Sequence, residues 1–174
     1  MKKLIKLSES EFKNILEKTI NKQEYDIFED PKATALVNFL SRDEEIEVGF
    51  AHIDPLKYDY YGLTIYKVKN REYAVGTDEE ANYAAAEDTK EHVWAFNKDF
   101  IIRHSSALDF NGSEKVLESI QDHSENANPI ILKLIDNIDD FIKDAIQSDG
   151  RGHFLSGYDG EENEYNDYYI YRLN

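Results

Sequence analysis

The sequence predicts an α+β fold: helices packed on a small antiparallel sheet, with a C-terminal strand. Three observations carry this. Apolar residues recur at the 3.6-residue period in residues 12–20 and 130–146. Between them, residues 45–53, 61–69 and 72–75 are rich in β-branched and aromatic side chains and alternate in polarity. The chain then closes on an aromatic run, Tyr168 to Leu173, that reads as one more strand. Since 174 residues suffice for one well-buried core and are few for two, a single domain over 1–174 is expected. The helical pair within residues 1–42 is also compatible with a separate lobe.

Taken in order, Ser8 and Glu11 form a capping box ahead of Phe12, Ile15, Leu16 and Ile20, which predicts a helix over 8–21. Asp30 and Pro31 supply a cap and a first-turn proline for a second helix over 31–41, with Leu36, Val37 and Leu40 as its apolar face. Residues 45–53 alternate as a half-buried strand. The tyrosine-rich residues 54–60 read as a loop. Strands at 61–69 and 72–75 meet in a tight hairpin at Asn70 and Arg71. Thr77 and Glu80 form a second capping box, opening an alanine-rich helix to about Phe96. Asn97 caps a short helix with Phe100, Ile101 and Ile102, and a helix runs from Ser113 to about His123. Asn128 and Pro129 open the longest apolar stripe, from Ile130 to Ile146, with a bend expected over 136–140 and Gly150 as its C-cap.

Composition excludes several function classes. The chain has no cysteine, hence no disulfide, cysteine-ligated metal or thiol nucleophile. There is no apolar run of transmembrane length and no signal-peptide core, so a cytoplasmic location is expected. Thirty-six acidic side chains face 20 basic ones, for a net charge of −16. Residues 1–22 are locally basic, with six lysines and three glutamates. The remainder therefore holds 33 acidic and 14 basic groups. Such a field repels nucleic acid and anionic membrane, and attracts a basic protein surface.

The glycine-rich stretch from Ser148 to Glu162 holds half of the eight glycines and is the strongest candidate for chemistry. A phosphate cradle would lead into a helix, but this stretch is predicted to follow one and to precede a strand. Asp159 and the residues after it lack calcium-loop spacing. His153 could act as a base with Asp159, Glu161 or Glu162 as orienter, and Arg151, His153, Asp159 and Glu161 could converge on a small ligand. The bland reading, preferred here, is structural: Asp159 and Gly160 form a hairpin turn, while Arg151 and His153 bond carbonyls at a helix end. The five histidines form no i, i+4 pair. No metal and no cofactor are expected, and no catalytic residue is assigned.

Acidic residues gather at Glu79, Glu80, Glu87, Asp88 and Glu91, at Asp43, Glu44 and Glu45, and at Glu161, Glu162, Glu164 and Asp167. Spaced carboxylates can imitate a phosphate backbone. Tyrosines cluster at 58–61 and 165–171, where they provide contact area at low entropy cost. Acid with tyrosine favours a protein partner over nucleic acid.

Residues 73–77, Val93 to Asn97 with Phe100 and Ile101, Gly150 to Ser156, Tyr158 to Glu162 and the ending Tyr171 to Asn174 resemble a group of small conserved proteins from bacteriophage and prophage genomes. The likeness spans residues 73–174. No activity is attached to that group, so no functional residue carries over; what the resemblance implies is a phage accessory protein. With the acidity, it leads to the expectation of a counter-defence inhibitor of the anti-CRISPR or anti-restriction type. Such a protein would act in the host cytoplasm on a basic, nucleic-acid-handling protein. The partner-binding residues expected are Glu79, Glu80, Glu87, Asp88, Glu91, Tyr158, Asp159, Glu161, Glu162, Glu164, Tyr165 and Asp167. The alternatives are a small-ligand binder or enzyme built on residues 148–162, or a phage housekeeping protein.

Overall fold

A computed structural model describes residues 27, 29–42 and 48–174. The expected helix over 8–21 and the acidic group at 43–45 lie outside those residues. Helix α1 (Pro31–Arg42) begins where Asp30 accepts a hydrogen bond from the Lys32 amide at 2.9 Å. This is the cap the sequence predicts.

Five antiparallel strands follow: β1 (Ile53–Tyr60), β2 (Leu63–Val68), β3 (Arg71–Thr77), β4 (Asn163–Tyr165) and β5 (Tyr168–Arg172), in the order β1-β2-β3-β5-β4. The strand expected at 45–53 is displaced. Within its described part, a tight turn at Phe50–His52 intervenes, closed by the Gly49 amide on the His52 ring at 3.2 Å, and the strand begins at Ile53. Residues 54–60, expected as a loop, therefore form β1. Its position explains this: an edge strand tolerates Pro55, and the register breaks between Pro55 and Asp59.

The sheet is covered on both faces. Tyr66, Val68, Tyr73, Val75 and Ile170 pack with Ala33, Leu36 and Leu40 of α1. On the other face, Leu63, Ala74 and Tyr171 meet Ala81, Ala84 and Ala85 of α2 (Asp78–Glu91). Those alanines let the helix lie close to the sheet. The Thr77–Glu80 capping box is formed as predicted. Helix α2 ends five residues earlier than expected, because the His92 ring bonds the Asp88 carbonyl at 3.0 Å and the chain tightens into a 3₁₀ turn at Val93–Ala95.

Helices α3 (Lys98–Arg103), α4 (Ser113–Gln121), α5 (Asn128–Leu134) and α6 (Ile138–Asp149) enclose a third core around Val93, Ile101, Leu117, Ile131 and Phe141. The expected bend separates α5 from α6. Asn137 caps α6 through the amides of Asp139 and Asp140, and Asp136 is held by Ser106 at 2.7 and 2.8 Å. Gly150, at φ 78, stops α6. A short helix, α7 (Arg151–Leu155), follows where a loop was expected. Its Gly152 sits against the backbone of residues 160–162, which leaves no room for a side chain. The β4–β5 hairpin turn is at Asn166 and Asp167, with φ of 49 and 64, and not at Asp159 and Gly160 as anticipated. Asn and Asp tolerate this left-handed backbone and supply a two-residue turn of the type hairpins favour.

Candidate functional site

One arginine joins the start of α2, just ahead of the first acidic group, to Glu162 of the second. Arg151, on α7, gives Nε and Nη2 to the Glu162 carboxylate at 2.7 and 2.9 Å. Its Nη1 reaches the Asp78 carboxylate at 2.7 Å, Asn82 at 3.1 Å and the Asp78 carbonyl at 3.3 Å. The guanidinium also lies 4.2 Å from the Tyr169 ring centre, and the Tyr171 hydroxyl donates to Glu162 at 2.5 Å. Burial disfavours the charge, but bonds to Glu162 and Asp78 outweigh it and raise the arginine pKa. Arg151 thus fastens the N-terminus of α2 to the segment that carries Glu161, Glu162 and Glu164.

The expected partner-binding residues divide on this frame. Asp88 is only 6% exposed. Glu80 is engaged by the Thr77 amide and by Lys32 at 2.7 Å, and Glu87 by Lys90 at 2.7 Å. Glu91 accepts from the Tyr61 hydroxyl at 2.6 Å, and Glu162 belongs to Arg151. Asp159 accepts from the Ser156 hydroxyl at 2.7 Å and the Glu161 amide at 3.0 Å. Burial pushes its carboxyl up, but those bonds prevail and hold it below the ordinary range. Glu79, Glu161, Glu164 and Asp167 are exposed and have no cationic partner among the described residues. Tyr158 is 59% exposed and lies under Arg172 at 3.4 Å, while Tyr165 lies under Arg42 at 5.3 Å.

The tyrosines of residues 58–61 also meet carboxylates. Tyr58 donates to Glu72 at 3.3 Å, Tyr60 to Asp88 at 3.4 Å, and Tyr61 to Glu91. Tyr66 donates to Asp30. Burial, with the neighbouring Asp88, pushes the Tyr60 phenol up to about 12, and burial with Glu91 raises Tyr61 as well. In an acid-rich chain with few cations, a phenol satisfies a carboxylate without a positive charge.

The constellation of Arg151, His153, Asp159 and Glu161 does not assemble. Arg151 is saturated by Glu162, Asp78 and Asn82, and Asp159 turns back on its own loop. His153 instead faces a separate cleft of about 930 Å³ between the end of α2, α3 and the α6–α7 junction. Asp88, His92, Phe96, Phe100, Arg103 and Phe154 contribute to its walls. Here the buried Asp88 carboxylate stands 3.2 Å from the His92 Nδ1. Burial raises the Asp88 pKa, against the opposing pull of His92 and Tyr60. Sequence reasoning sought histidine pairs and so passed over this Asp-to-His spacing of four, which places both on one helix face. Among the described residues, no three His, Asp or Glu side chains gather as a metal site, and no helix is long and apolar enough to cross a membrane.

No protein-family model, no curated protein and no solved structure matches this chain.

Proposed function

We propose that the protein is a phage counter-defence inhibitor that occupies a basic, nucleic-acid-handling surface of a host protein. The observation that supports this reading is the acidic edge around Arg151. Glu79 follows the start of α2, Glu161 and Glu164 flank the clamped Glu162, and Asp167 marks the adjoining hairpin turn. These four carboxylates are exposed and uncompensated by any described cation, and Tyr158 adds an exposed ring near them in sequence. Clustered negative charge on a rigid frame accelerates encounter with a positive groove and competes there with phosphates. The clamp holds the edge in place without neutralising it.

Capture from host lysate tests the reading. The wild-type chain retains a nuclease or another nucleic-acid-handling protein, and retention falls steeply as salt rises from about 50 to 200 mM. The combined variant E79Q/E161Q/E164Q/D167N releases that partner. A captured partner whose retention ignores both salt and these substitutions refutes the charge-based mechanism. Capture of only proteins unrelated to nucleic acid refutes the target class.

A further inference from the structure

The cleft beside α3 lies apart from the acidic edge and has a different chemistry. At about 930 Å³ it falls within the size of small-molecule sites. Three phenylalanines, Phe96, Phe100 and Phe154, supply its apolar walls, and each takes part in a ring contact that fixes it. Phe96 stacks with Phe154 at an interplanar angle of 15°, and Phe100 sets its edge on Phe141 at 4.9 Å.

Among its polar groups one, Arg103, is disposed for an anion. The Arg103 guanidinium lies 5.3 Å from the Phe100 ring, and no described residue accepts a hydrogen bond from it or pairs with it. Arg151, by contrast, has its donors engaged in the way a guanidinium ordinarily is when carboxylates are plentiful. An arginine fork beside an aromatic wall, with its donors unengaged by described residues, is suited to receive a carboxylate bidentately. His92 is turned to the buried Asp88 through Nδ1, which donates to it and leaves Nε2 a hydrogen-bond acceptor, so His92 lines the cleft without serving the anion. His153 meets Phe154 edge to face at 5.1 Å and adds a ring N–H able to donate a hydrogen bond. The remaining acids on the wall, Asp99 and Asp149, oppose multiply charged ligands such as phosphate dianions.

We infer that this cleft binds a small aromatic monocarboxylate. Its carboxylate sits on Arg103 with His153 at the same cleft, and its ring lies against the phenylalanine walls. This does not rest on the acidic-edge reading and survives that reading's failure.

The test is an NMR titration of the full chain with benzoate, with benzamide as the uncharged isostere and inorganic phosphate as the ring-free anion. Benzoate produces saturable shifts at the Arg103 side-chain Nε–H and at the imidazole signals of His92 and His153. Benzamide and phosphate each bind at least about tenfold more weakly. R103Q, a change at an exposed residue, weakens benzoate by about tenfold or more with an unchanged urea midpoint, and H153A weakens it less. R172Q, away from the cleft, leaves it unchanged. No saturable shift by about 20 mM benzoate overturns the inference. So does benzamide binding as well as benzoate, benzoate affinity indifferent to R103Q, or shifts confined to another surface.

Discussion

Replacing Arg151 by methionine removes the clamp and keeps most of the side chain's apolar stem. The arginine side chain is 10% exposed and makes five hydrogen bonds, three of them to carboxylate oxygens at 2.7 to 2.9 Å. Its loss leaves Glu162, with a side chain 29% exposed, against the fully buried Tyr171 and without a counter-charge. Removing one partner of a fully buried ion pair costs about 3–5 kcal/mol. Water reaches Glu162 and Asp78 here, so the lower end applies, about 3 kcal/mol. Lysine cannot reproduce the bidentate fork and recovers only about 1 kcal/mol. R151M/E162Q relieves the stranded carboxylate and should cost about 1 kcal/mol less than R151M alone. Urea unfolding monitored by circular dichroism measures all three, and the corresponding fall in melting temperature is about 6–12 °C for R151M. A loss below about 1 kcal/mol for R151M, or a double variant no better than the single, refutes the clamp as a stabilising element.

Other consequences follow from single positions. In G152A the new Cβ would fall 2.4 Å from the Gly160 carbonyl oxygen and 2.8 Å from the Glu162 nitrogen. This contact with backbone should cost about 3 kcal/mol or more, whereas G150A, in open space at φ 78, costs about 1 kcal/mol in the same urea assay. Burial pushes the Glu80 carboxyl up, but Lys32 and Thr77 prevail and lower it from its usual value near 4.5. Its stabilisation is therefore present above pH 4.5 and lost as pH falls through the depressed value. E80Q should cost about 1 kcal/mol at pH 7, with the gap to wild type closing in urea titrations as pH falls below 4.5. Burial and then Glu162 raise the Tyr171 phenol above its ordinary value of 10. That stability is complete below pH 10 and declines above it, by about 1.4 kcal/mol per pH unit from this residue. Y171F should flatten the alkaline limb of the stability profile.

What the sequence made legible was local chemistry. The Thr77–Glu80 box, the Asn97 and Asp30 caps, the break within 136–140 and the stop at Gly150 are each set by residues within a few positions of one another. The misread segments depend on distant partners. Residues 54–60 become a strand because β2 supplies a ladder for one side and the proline needs none on the other. Residues 151–155 become a helix between Gly150 and a loop whose backbone packs on Gly152. The acid and tyrosine counts suggested a surface for partners. Many of those groups instead satisfy each other, as Tyr60 with Asp88 and Tyr171 with Glu162 do across 28 and 9 residues. Composition cannot separate the two uses, because pairing of this kind has no fixed spacing. The carboxylates left over at 79, 161, 164 and 167 emerge only once the engaged ones are known.

The place of β5 bears on how the chain is made. It lies between β3 and β4, and Tyr73 faces Arg172 across about a hundred residues of sequence. During synthesis β1, β2 and β3 can pair as each hairpin leaves the ribosome, but the inner edge of β3 stays open until residues 168–172 emerge. At 5–20 residues per second that wait is roughly 5–20 s. Throughout it the nascent chain carries an unpaired strand edge, with Ala74 and Val75 lacking their partners Tyr171 and Ile170. That interval is when a holding chaperone would matter most to this protein.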